Sequence, residues 1–153
     1  MKMKLTIEHR DLFTVPNEYF LCHCVSSDFA LGAGIAKKFA ELGVRNELKG
    51  IAAFMGGSMW HGKGYCVHTL SPTPHGAFNL VTKERFNHKP TLETLKQALQ
   101  DMANDDWLYE SSAKIAMPKI GCGLDKLQWS DVERIIHEIF DETNLEILVC
   151  DWR

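Results

Sequence analysis

The sequence predicts an α/β protein of three layers, with helices on both faces of a mixed, mostly parallel central sheet of about six strands. Three observations lead there. Tyr19 to Val25 is a continuous apolar run, the signature of a central strand covered on both faces. Two segments carry apolar stripes at helical spacing: Leu92, Leu95, Leu99 and Met102, then Val132, Ile135, Ile136, Ile139 and Phe140. Strand-like and helix-like segments follow one another as β-β-α-(α)-β-β-α-β-α-β. Strands separated by helices need crossover connections, which make the paired strands parallel. The two strand pairs with no helix between them make the sheet mixed.

A chain of 153 residues suits one domain, spanning 1–153, with a single sizeable core. Hydrophobic residues at 45% and charged residues at 24% are those of a soluble globular protein. A net charge of −3 offers no global attraction to nucleic acid or to a membrane. The five cysteines are odd in number and form no CxxC, so they read as reduced thiols of a cytoplasmic protein, expected to be a monomer. Met1-Lys2-Met3-Lys4 leads straight into an alternating strand rather than an apolar signal core. Between Gly64 and Thr82 the only titratable basic groups are His68 and His75, but Pro72 and Pro74 divide the stretch into two strands and a turn, not a membrane span.

Taken in order, Leu5-Thr6-Ile7-Glu8 alternates as a first strand, and His9 to Phe13 is a turn bearing the acid Asp11. After the second strand, Ser26 to Phe39 has the layout of a glycine-bearing loop opening a helix. Ile35, Phe39 and Leu42 form its expected buried stripe, and Gly43 is placed to end it. Residues 44–62 carry the weakest pattern, with a short helix near Glu47 to Met55. Tyr65–Leu70 and Ala77–Thr82 flank the turn Ser71 to Gly76. Thr91 is placed to cap the long helix that ends near Asn104-Asp105-Asp106. Ile115-Ala116-Met117 precedes the loop Pro118 to Gln128, after which Ser130 and Glu133 are spaced as a capping box. Leu145 to Cys150 makes the last strand.

Two loops share one design, an apolar strand followed by Gly-x-Gly and a helix: Gly32-Ala33-Gly34 and Gly121-Cys122-Gly123. If their strands are both central, the loops open at one edge, where backbone amides and helix N-termini can hold a diphosphate between them. Neither matches the P-loop or the GxGxxG dinucleotide fingerprint, which makes a conventional dehydrogenase reading poor. Lys83 directly follows the strand Asn79 to Thr82, a place where an amine at the rim of a dry pocket can serve as a nucleophile, although a solvated surface lysine looks the same in isolation. Asp125 and Asp11 likewise read as loop acids when taken singly. Cys22-His23-Cys24 cannot jointly chelate an ion from one strand, because His23 points to the opposite face, and no metal is expected. Cys122 lies in the second glycine loop, but no histidine adjacent to it can be argued for, so a thiol nucleophile is disfavoured. Lys83, Arg85, His88 and Lys89 make the loop after the strand locally basic, as a solvated loop or as a contact for a phosphate backbone.

The combination Asp11-Leu12-Phe13, His23 to Ser26, Gly32 to Ala36, Thr82-Lys83, His88 to Thr91 and Pro118 to Trp129 resembles the macrodomain family, in its terminal ADP-ribose protein glycohydrolase branch. A related branch holds antitoxin macrodomains that reverse DNA ADP-ribosylation. The similarity runs from about residue 4 to residue 150. It implies that ADP-ribose lies across the top of the sheet, with Asp11 and Leu12 at the adenine. Ser26, Gly32, Ala33, Gly34 and Ile35 would wrap the proximal side and pyrophosphate. Ile120, Gly121, Cys122, Gly123 and Leu124 would close over the phosphates and distal ribose. The resemblance implies catalysis by Lys83 and Asp125 through a lysyl–ADP-ribose species, with no cofactor, on ADP-ribosylated protein or nucleic acid. The alternatives are a non-catalytic ADP-ribose reader and an ADP-ribose-1″-phosphate phosphatase.

Two departures from that pattern stand out. Arg10 occupies the position before Asp11 where macrodomains commonly have glycine, and Cys150 the position of an expected adenosine-side aromatic. Trp152, two residues on, has the alternation to point the same way and so to replace it.

Overall fold

The computed structural model describes residues 2–110 and 113–152. The strands are β1 (Lys4–Glu8), β2 (Tyr19–Ser26), β3 (Tyr65–Thr69), β4 (Ala77–Lys83), β5 (Lys114–Met117) and β6 (Glu146–Cys150). The helices are α1 (Gly34–Glu41), α2 (Val44–Phe54), α3 (Leu92–Ala103), the short α4 (Trp107–Glu110) and α5 (Trp129–Phe140). One six-stranded sheet runs in the order β1-β6-β5-β2-β4-β3. Every neighbouring pair is parallel except β3–β4. Mixed character therefore comes from one strand pair, not two. β1 and β2 have no helix between them beyond a single 3₁₀ turn at Leu12–Thr14, yet β6 and β5 lie between them in the sheet.

Two apolar clusters sandwich the sheet. On one face Phe20, Cys22, Phe78 and Leu80 meet Leu95, Leu99 and Met102 of α3 and Val132, Ile136 and Phe140 of α5. On the other, Val25, Val81, Ala116 and Leu148 meet Phe39 of α1 and Val44 and Leu48 of α2. At roughly 1.5–3 kcal/mol per fully buried large aliphatic side chain, these faces supply the main drive for folding.

Local signals explain most boundaries. Gly43, with φ +100°, ends α1 and starts α2, a left-handed step that glycine takes without Cβ strain. Thr91 caps α3 by a reciprocal box: its hydroxyl accepts from Thr94 N at 3.1 Å, and Thr94 Oγ1 accepts from Thr91 N at 3.1 Å. Three expectations need correction. Leu42 is not part of a buried stripe but lies at the end of α1, 39% exposed. α2 begins at Val44, three residues before the expected Glu47, and Phe54 at its end is 89% exposed, which blurs the helical period. α5 starts at Trp129 with no side-chain cap, because its N-cap is Gln128 and Ser130 lies inside the helix; the Glu133 carboxylate instead accepts from Trp129 Nε1 at 2.9 Å.

Candidate active site

Because β1, β6, β5, β2 and β4 are parallel, their carboxyl ends share one edge, and the residues of the expected ADP-ribose site lie at those ends or in the segments that follow them. β2 and β5 are neighbours near the middle of the sheet. From β2 the chain crosses toward β4 and β3, and from β5 toward β6. The crevice between their loops is thus a topological switch point, where open α/β sheets hold ligands.

The two glycine loops meet across this crevice: a Cβ placed on Gly34 would lie 3.6 Å from Leu124 Cδ1. Ala33 precedes α1 with extended backbone and no side-chain cap, so the first amides of α1 keep no internal partner and suit an anion. Gly121 takes φ +72°, and a Cβ there would stand 2.9 Å from Leu127 Cδ1. Glycine lets the chain turn so that Leu127 N donates to Gly121 O at 2.7 Å, closing the loop on itself. Gly32 is nearly open and Gly123 fully so, leaving their backbone approachable. Leu12 and Ile120 are buried in the core, at 2% and 1% exposure, so what they present to a ligand is backbone. Leu124 is exposed over the mouth and Ile35 is half-buried behind the first loop. Ser26 is buried, and its hydroxyl donates to Asp28 Oδ1 at 2.5 Å.

Lys83 and Asp125 come together. Lys83 Nζ stands 2.7 Å from Asp125 Oδ1, and each side chain keeps only 14% of its surface exposed. A substrate can reach the pair, but bulk water screens it little. A bulge brings Lys83 into place. Val25 pairs with Val81, but Ser26 pairs with Lys83, so Thr82 is an extra residue that resets side-chain direction at the strand end. Ser27 N then donates to Lys83 O at 2.9 Å. From the other side, Lys89 Nζ donates to Leu124 O at 2.8 Å, tying the basic loop to the residue before Asp125.

The thiols near this pair are not its chemistry. Burial raises the pKa of Cys24, and the nearby Asp125 charge adds to it. Burial also raises that of Cys122, whose thiol donates to Ile120 O at 3.3 Å. Both stay protonated near neutral pH, and a thiol rather than a thiolate is a poor nucleophile. His23 points away from Cys22 and Cys24, its ring stacked on Phe39 of α1 with centroids 3.6 Å apart.

At the far end of the edge, Asp11 Oδ1 accepts from Phe13 N at 3.0 Å, capping the 3₁₀ turn. Arg10 takes no left-handed backbone; its guanidinium donates to Thr14 O at 2.8 Å and braces the turn from outside. Trp152 lies beyond β6, 60% exposed, its ring 5.1 Å from that of His9. Sequence reasoning passed over His9 and Asp28, whose carboxylate bridges two loops. The only signal for Asp28 was an Asp just after a strand, a common turn residue.

No family profile matches the chain. ADP-ribose glycohydrolase OARD1 of Bos taurus is 36% identical over 146 residues, 95% of this chain and 90% of that protein. The Homo sapiens protein of the same name is 35% identical over the same span. Among solved structures, the macrodomain of Thermus aquaticus DarG superposes with a TM-score of 0.76 at 24% identity, covering 97% of this chain and 99% of that one. Thermosipho africanus DarTG, solved in complex with ADP-ribose, superposes at 0.69 and 19% identity over 95% of this chain and 41% of that one. The structures establish the fold, and identity sustained along nearly the whole length of the two OARD1 proteins establishes the kinship: this chain belongs to the ADP-ribose glycohydrolase family, on the macrodomain scaffold.

Proposed function

We propose that this protein is a hydrolase that removes mono-ADP-ribose from modified macromolecules, with Lys83 as nucleophile and Asp125 as its proton partner. The observation that carries the proposal is the 2.7 Å Lys83–Asp125 contact, placed where the glycine loops end. ADP-ribose runs along the carboxyl edge, adenine by Asp11 and Trp152, pyrophosphate between Gly32–Ile35 and Gly121–Leu124, distal ribose at Lys83. From β1 to β4 the edge spans four strand spacings, about 19 Å at ~4.8 Å each, room for an extended dinucleotide-like ligand.

In the first step Asp125 accepts a proton from Lys83. The freed Nζ lone pair attacks C1″ of the distal ribose, the N–C1″ bond forms, and the C1″–O bond to an acidic side chain breaks, its electron pair leaving with the carboxylate. Asp125 passes its proton to the departing carboxylate, and ring opening, with an Nζ proton moving to O4″, gives an iminium at C1″. The ionised Asp125 then takes a proton from water as the water adds to C1″, and re-closure of the sugar through O4″ expels the lysine amine, which takes up the protons of O4″ and Asp125. These steps call for no metal and no cofactor. A nucleobase attached at C1″ could leave in the same way, so modified nucleic acid stands beside modified protein as the substrate class. Five free thiols support a cytoplasmic setting, and we take the working unit to be the monomer.

Replacing Lys83 or Asp125 by alanine lowers turnover on the order of 10²–10⁴-fold, while calorimetry finds ADP-ribose affinity within a few-fold of wild type. Borohydride added during turnover fixes ADP-ribose on Lys83 as a secondary amine, visible by mass spectrometry. Wild-type turnover in Lys83→Ala would sink the mechanism and favour a phosphatase resting on the glycine loops. A wild type that binds ADP-ribose but never releases it from a substrate would be a reader.

A further inference from the structure

The loop that carries Lys83 has little apolar packing to hold it. Residues 84–89 are all exposed, Phe86 at 66% among them. Segments with few buried contacts open easily unless hydrogen bonds restrain them. Here the restraint converges on one carboxylate from a different loop. Asp28 Oδ2 accepts from Phe86 N at 2.9 Å, while Oδ1 accepts from Ser26 Oγ at 2.5 Å and Ala30 N at 3.2 Å. The Ser26 and Ala30 contacts belong to an ordinary turn closed by its own aspartate. The Phe86 contact does not. It reaches 58 residues along the chain to a backbone amide three positions beyond Lys83.

We propose that Asp28 is a positioning residue for the hydrolysis, clamping the loop after β4 to the loop after β2 so that Lys83 Nζ is held against Asp125. The inference rests on the reading of Lys83 and Asp125 as the catalytic pair. Together with Ser27 N on Lys83 O, the clamp fixes the lysine segment at two points, on either side of Glu84 and Arg85. Burial alone would raise the Asp28 pKa; donation from Ser26 Oγ and from the Phe86 and Ala30 amides outweighs it and holds it below the ordinary carboxylate value. The acceptor thus stays ionised through the neutral range. Reacting atoms displaced by about 1 Å can cost on the order of 100-fold in rate, so a clamp of this kind acts on turnover more than on binding.

The test compares wild type, Asp28→Ala, Asp28→Asn and Lys83→Ala in the full chain. Three quantities are read: steady-state kcat and KM on glutamate-linked ADP-ribosylated protein, ADP-ribose Kd by calorimetry, and Tm. Asp28→Ala is expected to lower kcat about tenfold to 100-fold with KM and Kd within threefold, and to slow accumulation of the borohydride-trapped lysine adduct. Asp28→Asn is expected to recover kcat to within threefold. Its carbonyl can still accept from Phe86 N, and the Ser26 hydroxyl can rotate to accept from its amide, so only the longer contact from Ala30 N within the turn is lost. Wild-type kcat in Asp28→Ala overturns the clamp, as does a parallel loss of kcat, ADP-ribose affinity and Tm, which marks a merely structural residue. An Asn variant as slow as Ala also overturns it, because charge rather than the bridge would then be acting. Should Asp28→Ala not fold, Asp28→Ser, too short to reach Phe86 N, takes its place with the same expected loss. If Lys83→Ala keeps wild-type turnover, the catalytic reading itself has failed; if Lys83→Ala is dead and Asp28→Ala is normal, only the clamp has.

Discussion

Lys83 and Asp125 sit 42 positions apart in the chain and meet only because a bulge aims one and a closed glycine loop presents the other. Neither residue is unusual in isolation; their contact is what gives them a shared chemistry. His23 makes the complementary point, as a titratable residue with a structural role. Its Nε2 lies 2.6 Å from Asn79 Oδ1, its Nδ1 is buried without a partner, and burial lowers its pKa from 6.5 to about 4 despite the Asn79 hydrogen bond. The unfolded chain therefore takes up the proton first as pH falls. Stability from this residue is complete above pH 6.5 and is lost progressively toward pH 4, up to roughly 3 kcal/mol in all. Denaturant midpoints measured from pH 7 to 5 should decline over this window, above the range where carboxylates titrate. A flat series would show that folding does not lower the His23 pKa.

Among the elements, the two glycine loops do different work at different positions. At Gly121 the left-handed φ of +72° and the nearby Leu127 make alanine costly, about 1–2 kcal/mol from backbone strain alone. At Gly123 there is open space and no left-handed backbone. Gly121→Ala should thus lower Tm by several degrees, whereas Gly123→Ala should leave Tm unchanged and weaken ADP-ribose binding only if the pyrophosphate approaches that backbone. Equal thermal loss in both variants would refute this division. The capping signals were equally position-dependent. Thr91 reads correctly because it stands at the N-cap of α3 with Thr94 three residues on, while Ser130 falls inside α5, which starts one residue earlier at Trp129, and Glu133 accepts from the Trp129 indole, a contact invisible to spacing rules. α2 was only half legible, since Val44 and Leu48 are buried but Phe54 and Met55 at its end face solvent.

Over the whole molecule, the parallel strands line up one carboxyl edge with the Lys83–Asp125 pair at one end and the His9–Trp152 rings at the other. Separate ends predict separable effects. Trp152→Ala should weaken ADP-ribose binding about tenfold, as loss of one base-stacking contact of ~1–3 kcal/mol implies, with kcat at saturating substrate unchanged. Unaltered affinity would remove Trp152 from the site and leave Asp11 and backbone to hold the adenine.

Period and punctuation alone determined the three-layer class, the apolar faces of α3 and α5, and the glycine loops after two strands, because each depends on residues close together in the chain. Motif resemblance singled out Lys83 and Asp125. Strand order, the single antiparallel pair, the bulge at Thr82 and the Asp28–Phe86 bridge were decided only in three dimensions. Each arises from contacts between distant segments, whose register is set by which apolar faces pack together rather than by any local preference of the residues that end up touching.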